Sequence, residues 1–216
     1  PTDMGVNMAG YCIVDDEAVR EASCQEIIRR YYKTACGCKL GCEKTDTLDK
    51  IGVIMQQLAL EPEDRKTVPA AREKLLSSGK PSAAIELKDG RVVTGRTTAL
   101  TSATASTVLN AIKVLAGLDD DILLISPTIL EPILKLKSEI LGSASPVLKL
   151  DDVLIALSIC AVTNPMVQEA LNCVEQLKGC DFHSTQLLRS GDEGTLRKMG
   201  IQLTCEPKFP EKDFMI

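Results

Sequence analysis

The sequence predicts an α/β protein, a helical arm followed by a sheet layered with helices. Three observations carry that reading. Apolar residues make up 44% of the chain but aromatics only 3%, with no Trp, so the core must be aliphatic. Such packing suits helices on a sheet better than an aromatic-rich β-sandwich. The first third of the chain repeats its apolar residues at helical spacing. From Pro81 onward, short β-runs alternate with helical stretches, beginning at an Asp-Gly turn. The 216 residues suffice for one large domain, or for one domain with an appendage.

Taken in order, residues 1–12, "PTDMGVNMAGYC", read as a loop in which Asp3 and Asn7 are available to line a pocket. Asp15, Asp16 and Glu17 then open a helix that ends in "RRYYK", the charge order the helix dipole prefers. Val19, Ala22, Ile27 and Tyr31 would form its buried stripe, and Cys36-Gly37 would loosen its end. Residues 46–59 make a second amphipathic helix, and "PAAREKLLSSG" a third, begun by Pro69 and stopped by Gly79. "SAAIEL" and "RVVTG" form a hairpin across "KDG", and "TTALTSATASTVLNAIKVLAG" a helix ending at Gly117. "DILLIS" reads as a central strand because its apolar run is continuous. Pro127 starts a helix to about Leu141. "DDVLIALSICAVTN" is a buried helix capped by Asp151 or Asp152, and Pro165 starts the next, through Leu177. "CDFHSTQLL" is a strand, "DEGTLRKMG" a short helix and "IQLTCEP" the last strand. The division expected is a loop and helical subdomain over 1–80 and an α/β/α subdomain over 81–216.

The net charge of −5 is interspersed, without a basic face, which argues against a nucleic-acid partner. No apolar run reaches membrane-spanning length and no signal peptide is visible, so a cytoplasmic protein with no membrane partner is expected. Because the chain begins with Pro1 rather than Met, it reads as a trimmed or processed piece. The nine cysteines lack the regular spacing of a disulfide scaffold and suit thiols in a reducing cytoplasm. Cys36, Cys38 and Cys42 could begin a metal site, with Cys24 as a fourth ligand. Their spacing is not a standard one, however, and no metal or cofactor is expected.

The stretch from Gly90 to Thr97, "GRVVTGRT", differs from a phosphate-binding P-loop only by Arg96 in place of Lys. The hairpin excludes that reading, since Gly90 belongs to a turn and Arg91 to Val93 to a strand. A planar guanidinium also does not replace a compact ammonium in that geometry. What survives is the junction Thr94-Gly95-Arg96-Thr97-Thr98, between a strand and a helix. Its amides, hydroxyls and guanidinium would suit a small anion; the ordinary alternative is a Thr N-cap beside a solvated Arg. His183 is the only histidine. Alternation puts Asp181, His183 and Thr185 on one face of their strand, with Phe182 and Ser184 on the other. His183 is thus a candidate acid–base residue or a hydrogen-bonded structural one, with Ser184 and Thr185 as candidate ligand contacts. Ser126 and Asn164, each followed by Pro, are candidate ligand contacts or N-caps.

In order along nearly the whole chain, "DMGVNMAG", "DGRVVTGRTT", "LISP", "DDVLIALSICA" and "LRKMGIQLTCEP" carry a resemblance. The chain resembles the carboxy-terminal half of a bacterial family, domain-of-unknown-function family 1846, also called uncharacterised protein family 0371. That resemblance implies a helical subdomain followed by a three-layer α/β/α subdomain with cytidine-deaminase-like topology. It also implies members more than twice as long, so that an amino-terminal part would complete the molecule. Deaminase chemistry is not implied, because a zinc deaminase needs H-x-E and P-C-x-x-C at two helix starts. Those places read "TGRTTALTSATAS" and "SPTILEP", which leaves Thr97, Thr98, Ser126 and Thr128 without a zinc-ready group. Two functions stay open. One is a metal-independent enzyme or a domain binding a small anionic or nucleotide-like ligand. Its pocket would form where Arg96, Thr97, Ser126, Asn164 and His183 converge, completed by the missing amino-terminal part. The other is a homo-oligomerisation module without catalytic activity, built on the arm 15–78.

Overall fold

The computed structural model describes residues 16–143 and 147–210; the loop 1–12, with Asp3 and Asn7, lies outside the described residues. The chain divides into two units, Pro1–Arg65 and Lys66–Ile216. In the first, helix α1 (Asp16–Lys39) packs on α2 (Thr45–Gln57), and a 3-10 turn follows at Pro62–Asp64. Acids open α1 and Lys39 closes it, as its dipole favours. Its buried apolar residues are Ile28, Tyr32, Ala35 and Cys36, with Thr34 buried beside them. They lie one position beyond the expected Ile27 and Tyr31 stripe, because the 28-32-35-36 spacing satisfies the same helical period. Gly37 does not end α1, which runs on to Lys39. Among the described residues, no three His, Cys, Asp or Glu side chains gather as metal ligands, the Cys36, Cys38 and Cys42 cluster included.

The second unit begins with α3 (Thr67–Ser78), closed by Gly79 in the left-handed conformation, and then the hairpin β1 (Ser82–Glu86) and β2 (Val92–Arg96). It continues with α4 (Ala103–Leu115), α5 (Pro127–Lys135) running into a π-turn at Leu136–Ile140, and α6 (Leu150–Ala161). Helix α7 (Pro165–Asn172) leads through a 3-10 turn (Cys173–Leu177) to β3 (Asp181–Ser184), α8 (Ser190–Lys198) and β4 (Gln202–Cys205). The strands form one mixed sheet in the order β2-β1-β3-β4, with β1 antiparallel to both neighbours and β3 parallel to β4. Helix α3, expected in the arm, instead packs on β1, β2 and β3 and so belongs to this unit.

Alternation assigns the two faces of the sheet. Ala83, Ile85 and Phe182 join a core with Val108 and Ile112 of α4 and Val153 and Leu157 of α6. Ala84 and His183, paired across β1 and β3, face the other way. The hairpin turn holds Gly90 at φ +84°, while Asp89 accepts from the Arg91 amide and guanidinium. Gly95 serves a different need: a Cβ there would lie 2.4 Å from the Thr107 amide nitrogen, so α4 rests directly on the β2 backbone. Neither glycine belongs to a phosphate loop.

Three expectations are corrected. "DILLIS" is not a strand; Leu124 and Ile125 are buried core residues on an irregular segment after a turn at Asp119. A continuous apolar run reports burial, and strand pairing needs a free sheet edge beside it. Helix α4 starts at Ala103 rather than near Thr97. The Thr98 hydroxyl accepts from the amides of Leu100 and Thr101, and Thr101 forms a parallel bridge with Leu148, so the chain turns helical only after Ser102. The Gly95–Thr98 junction therefore does not sit at a helix start. Helix α6 buries only one side, leaving Ile155, Ile159 and Val162 exposed. No described helix is long and apolar enough to cross a membrane.

Candidate functional site

A cavity of about 60 Å³ opens in the second unit where β2 and β3 end and where α4, α6 and α8 begin. At roughly 10–15 Å³ of such volume per water, it takes a group of about four or five heavy atoms, the size of a phosphate or carboxylate head. Thr97 and Ser184 come from the strand ends, Ser102 and Thr104 from the start of α4, Lys149 from the residue before α6, and Arg189 and Asp192 from the start of α8. First-turn amides of a helix have no carbonyl of their own to bind, and they carry its positive end.

Asp192 ties the three helix starts together. The first amide of α6, on Leu150, donates to its Oδ1 at 2.7 Å, and the Ser102 hydroxyl donates to it while accepting from Ala105 at the start of α4. Burial pushes the Asp192 carboxyl upward, against the opposing pull of those two donors. Around it stand further polar groups, among them Lys149, whose charge also favours the ionised Asp192 carboxyl. The Lys149 ammonium and the Arg189 guanidinium, both half-buried, enter no ion pair or hydrogen bond among the described residues. The Lys149 stem lies against Gly191, where a Cβ would come within 2.8 Å of Lys149 Cδ. The hydroxyls of Thr97 and Thr104 likewise make no hydrogen bond among the described residues, and both residues line the cavity.

Of the residues expected from sequence, Thr97 and Ser184 reach this cavity. Gly95, Arg96 and Thr98 line a separate cleft at the β2 edge of the sheet. The Thr94 carbonyl, on that edge, accepts from the Asn110 side chain at 2.9 Å. Ser126 and Asn164 are exposed caps of their own helices, accepting from the Thr128 and Met166 amides, and line neither cavity. Thr185 bridges strands, its hydroxyl accepting from the Ser82 amide and donating to the Ser82 carbonyl, both at 3.0 Å. The expected convergence of Arg96, Thr97, Ser126, Asn164 and His183 does not occur.

His183 is fully buried, and its environment is a brace. The Thr204 hydroxyl donates to the Phe182 carbonyl at 3.1 Å, so it accepts from His183 Nδ1, 2.9 Å away. Nε2 lies 3.5 Å from Glu206 Oε1, which Arg72 of α3 also grips through Nε and Nη2 at 2.7 Å each. Burial would raise the Glu206 carboxyl, but His183 and Arg72 outweigh it and bring it down to about 2. The polar face of β3 is thus spent joining β3, β4 and α3, and the imidazole lines neither cavity. Asp192, Lys149, Arg189, Ser102 and Thr104 were not visible as site residues in the sequence. Asp192 reads there as an ordinary acid in the first turn of a helix, and only the Ser before "ATAS" hinted at a cap.

Comparison with known proteins finds the domain of unknown function DUF1846 on both sides of the unit boundary. Its C-terminal domain matches residues 63–215 and its N-terminal domain residues 1–59, so the chain holds sequence from both. A UPF0371 protein of Clostridium tetani is 50% identical over 98% of this chain, which covers 44% of that relative. A UPF0371 protein of Clostridioides difficile is 50% identical over 99% of the chain, and one of Clostridium botulinum 50% over 97%. The chain spans less than half the length of these curated relatives.

Proposed function

The chain belongs to the DUF1846 family, a family of unknown function, and we propose that its second unit recognises the oxyanion head of a small ligand in the cavity at the three helix starts. The supporting observation is the set of groups there: two cations that enter no ion pair or hydrogen bond among the described residues and two cavity-lining hydroxyls, with first-turn amides behind them. A cavity-facing hydroxyl without a protein partner is available to donate to an entering oxyanion. Asp192 sets the condition for entry. Its neutral carboxyl donates to an oxyanion, and its ionised form repels one. A metal-independent reaction in which Asp192 hands a proton to a leaving oxygen is the enzymatic form of this reading. The small cavity holds only the head, so the rest of the ligand falls to the remainder of the longer protein. The hairpin followed by helix–strand units supports a cytidine-deaminase-like arrangement. Its zinc chemistry is not part of the proposal, because the chain enters α4 as Thr101-Ser102-Ala103-Thr104, without His or Cys.

Calorimetric titration with inorganic phosphate and with acetate tests the reading. Lys149→Ala and Arg189→Ala should each weaken binding by about ten- to a hundredfold, the value of a charge-assisted hydrogen bond. Arg96→Ala, in the other cleft, should leave it unchanged. The absence of binding to either anion at pH 5 to 7 would sink the proposal. A second reading, self-association through the helical arm, is favoured by Val53, Ile54 and Leu58, which stand 52%, 45% and 46% exposed around α2. Light scattering decides it: a monomer at millimolar concentration ends it, and a dimer lost in Ile54→Glu supports it.

A further inference from the structure

The cleft beside β2 has a chemistry of its own. It measures about 430 Å³, within the range of small-ligand pockets. Lys74 of α3, Arg96 at the end of β2 and Lys113 of α4 line it, and no carboxylate does. Lys74 and Arg96 enter no ion pair or side-chain hydrogen bond among the described residues. Lys113 is only 8% exposed, and its ammonium is held by the Asp120 carbonyl, which carries no countercharge. A buried ammonium in that position favours an anion. Aliphatic side chains also line it, Leu109, Ile125 and Leu130 among them. None of the lining residues is aromatic, so the cleft lacks a stacking platform for a nucleobase. Three cations and several branched aliphatics in one cleft, with no carboxylate among them, match a single molecule with an anionic head and an alkyl body.

We propose that this cleft is a second binding site, for an amphiphilic anion: a linear alkyl chain with a carboxylate or phosphate head. The site is independent of the oxyanion cavity. Exposed Arg96, half-buried Lys74 and buried Lys113 supply the charge for the head, and the alkyl chain packs against Leu109, Ile125 and Leu130.

The test is calorimetric titration of the 216-residue chain with hexanoate, octanoate, decanoate, octyl phosphate and octanol. Affinity should rise three- to fourfold for each methylene added, the transfer value of that group. Octanoate or octyl phosphate should bind at least tenfold more tightly than octanol. Arg96→Gln and Lys74→Gln, at exposed and half-buried positions that the fold does not depend on, should each weaken octanoate at least fivefold. Lys113→Met should abolish its binding. Run in the Lys149→Ala background, where the oxyanion cavity is disabled, the series should keep its chain-length dependence and its sensitivity to the Gln variants, which separates this site from the oxyanion cavity. A flat chain-length series, octanol binding as tightly as octanoate, or indifference to both Gln variants would overturn the proposal. Vesicles of phosphatidylglycerol distinguish a free amphiphile from a bilayer lipid. Protein left in the supernatant while octanoate binds supports the single-chain site, and protein that sediments with vesicles but ignores octanoate refutes it.

Discussion

Glu206→Gln removes the charge at the centre of the brace between β3, β4 and α3, and its cost depends on pH. The Glu206 carboxyl sits at about 2 against an ordinary value of 4.5. A lowered carboxyl contributes stability that is fully present above its unfolded value and is lost as pH falls through its folded one. The difference of some 2.5 units corresponds to about 3 kcal/mol at pH 6, at about 1.4 kcal/mol per unit. By the same linkage about 1 kcal/mol remains at pH 3. Glu206 is only 6% exposed, so salt should screen the interaction little. Urea denaturation followed by circular dichroism, for the wild type and Glu206→Gln at pH 6, 4 and 3, measures the gap between them. That gap should shrink by about 2 kcal/mol across the range. Taking the difference cancels Asp192, whose raised carboxyl acts in the opposite sense. A gap that stays constant from pH 6 to 3 would mean that Arg72 and His183 do not hold the carboxylate as described.

Gly95→Ala should destabilise the protein by about 1–3 kcal/mol, the usual cost of overpacking, because its Cβ would lie 2.4 Å from the Thr107 nitrogen and 2.7 Å from its Cα. A melting temperature within a degree of wild type would contradict the close approach of α4. Gly90→Ala meets no neighbour but is held at φ +84°, so it should cost about 1 kcal/mol and leave phosphate binding intact. Loss of phosphate binding in that variant would restore the P-loop. For Asp192 the carboxyl is raised, so phosphate binding should be tightest below its shifted value and weaken as pH rises through it. Asp192→Asn should flatten that profile, and a parallel decline in the variant would remove Asp192 from the site.

The sheet was legible because its signals are local. An Asp-Gly turn fixes the hairpin, and period-two alternation alone puts Phe182 and His183 on opposite faces. The error at "DILLIS" has a physical source: hydrophobic periodicity encodes burial, whereas strand pairing is set by which partners the topology brings alongside. The start of α4 was misplaced because Thr98, a plausible cap, spends its hydroxyl on a turn and leaves the capping to Ser102. Asp192 illustrates the wider limit. A first-turn acid ordinarily faces water, and only the meeting of three helix starts, from distant parts of the chain, buries this one. His183 was noticed for its rarity, and rarity says nothing about access.

The strand end "TGRTT" feeds two sites because it is extended. Ala83 pairs with Gly95 and Ser82 with Arg96, and the Thr97 amide continues the ladder by donating to the Pro81 carbonyl. Successive side chains therefore leave on opposite sides, Arg96 toward the cleft and Thr97 toward the oxyanion cavity. A phosphate loop does the reverse, curling consecutive amides around one anion. The two geometries make opposite predictions for neighbouring substitutions. With an extended strand, Arg96→Gln weakens octanoate and spares phosphate, Thr97→Val weakens phosphate and spares octanoate, and the double variant shows the sum of the two effects. If either single variant weakened both ligands, Arg96 and Thr97 would be facing one anion, and the strand end would be acting as a loop after all.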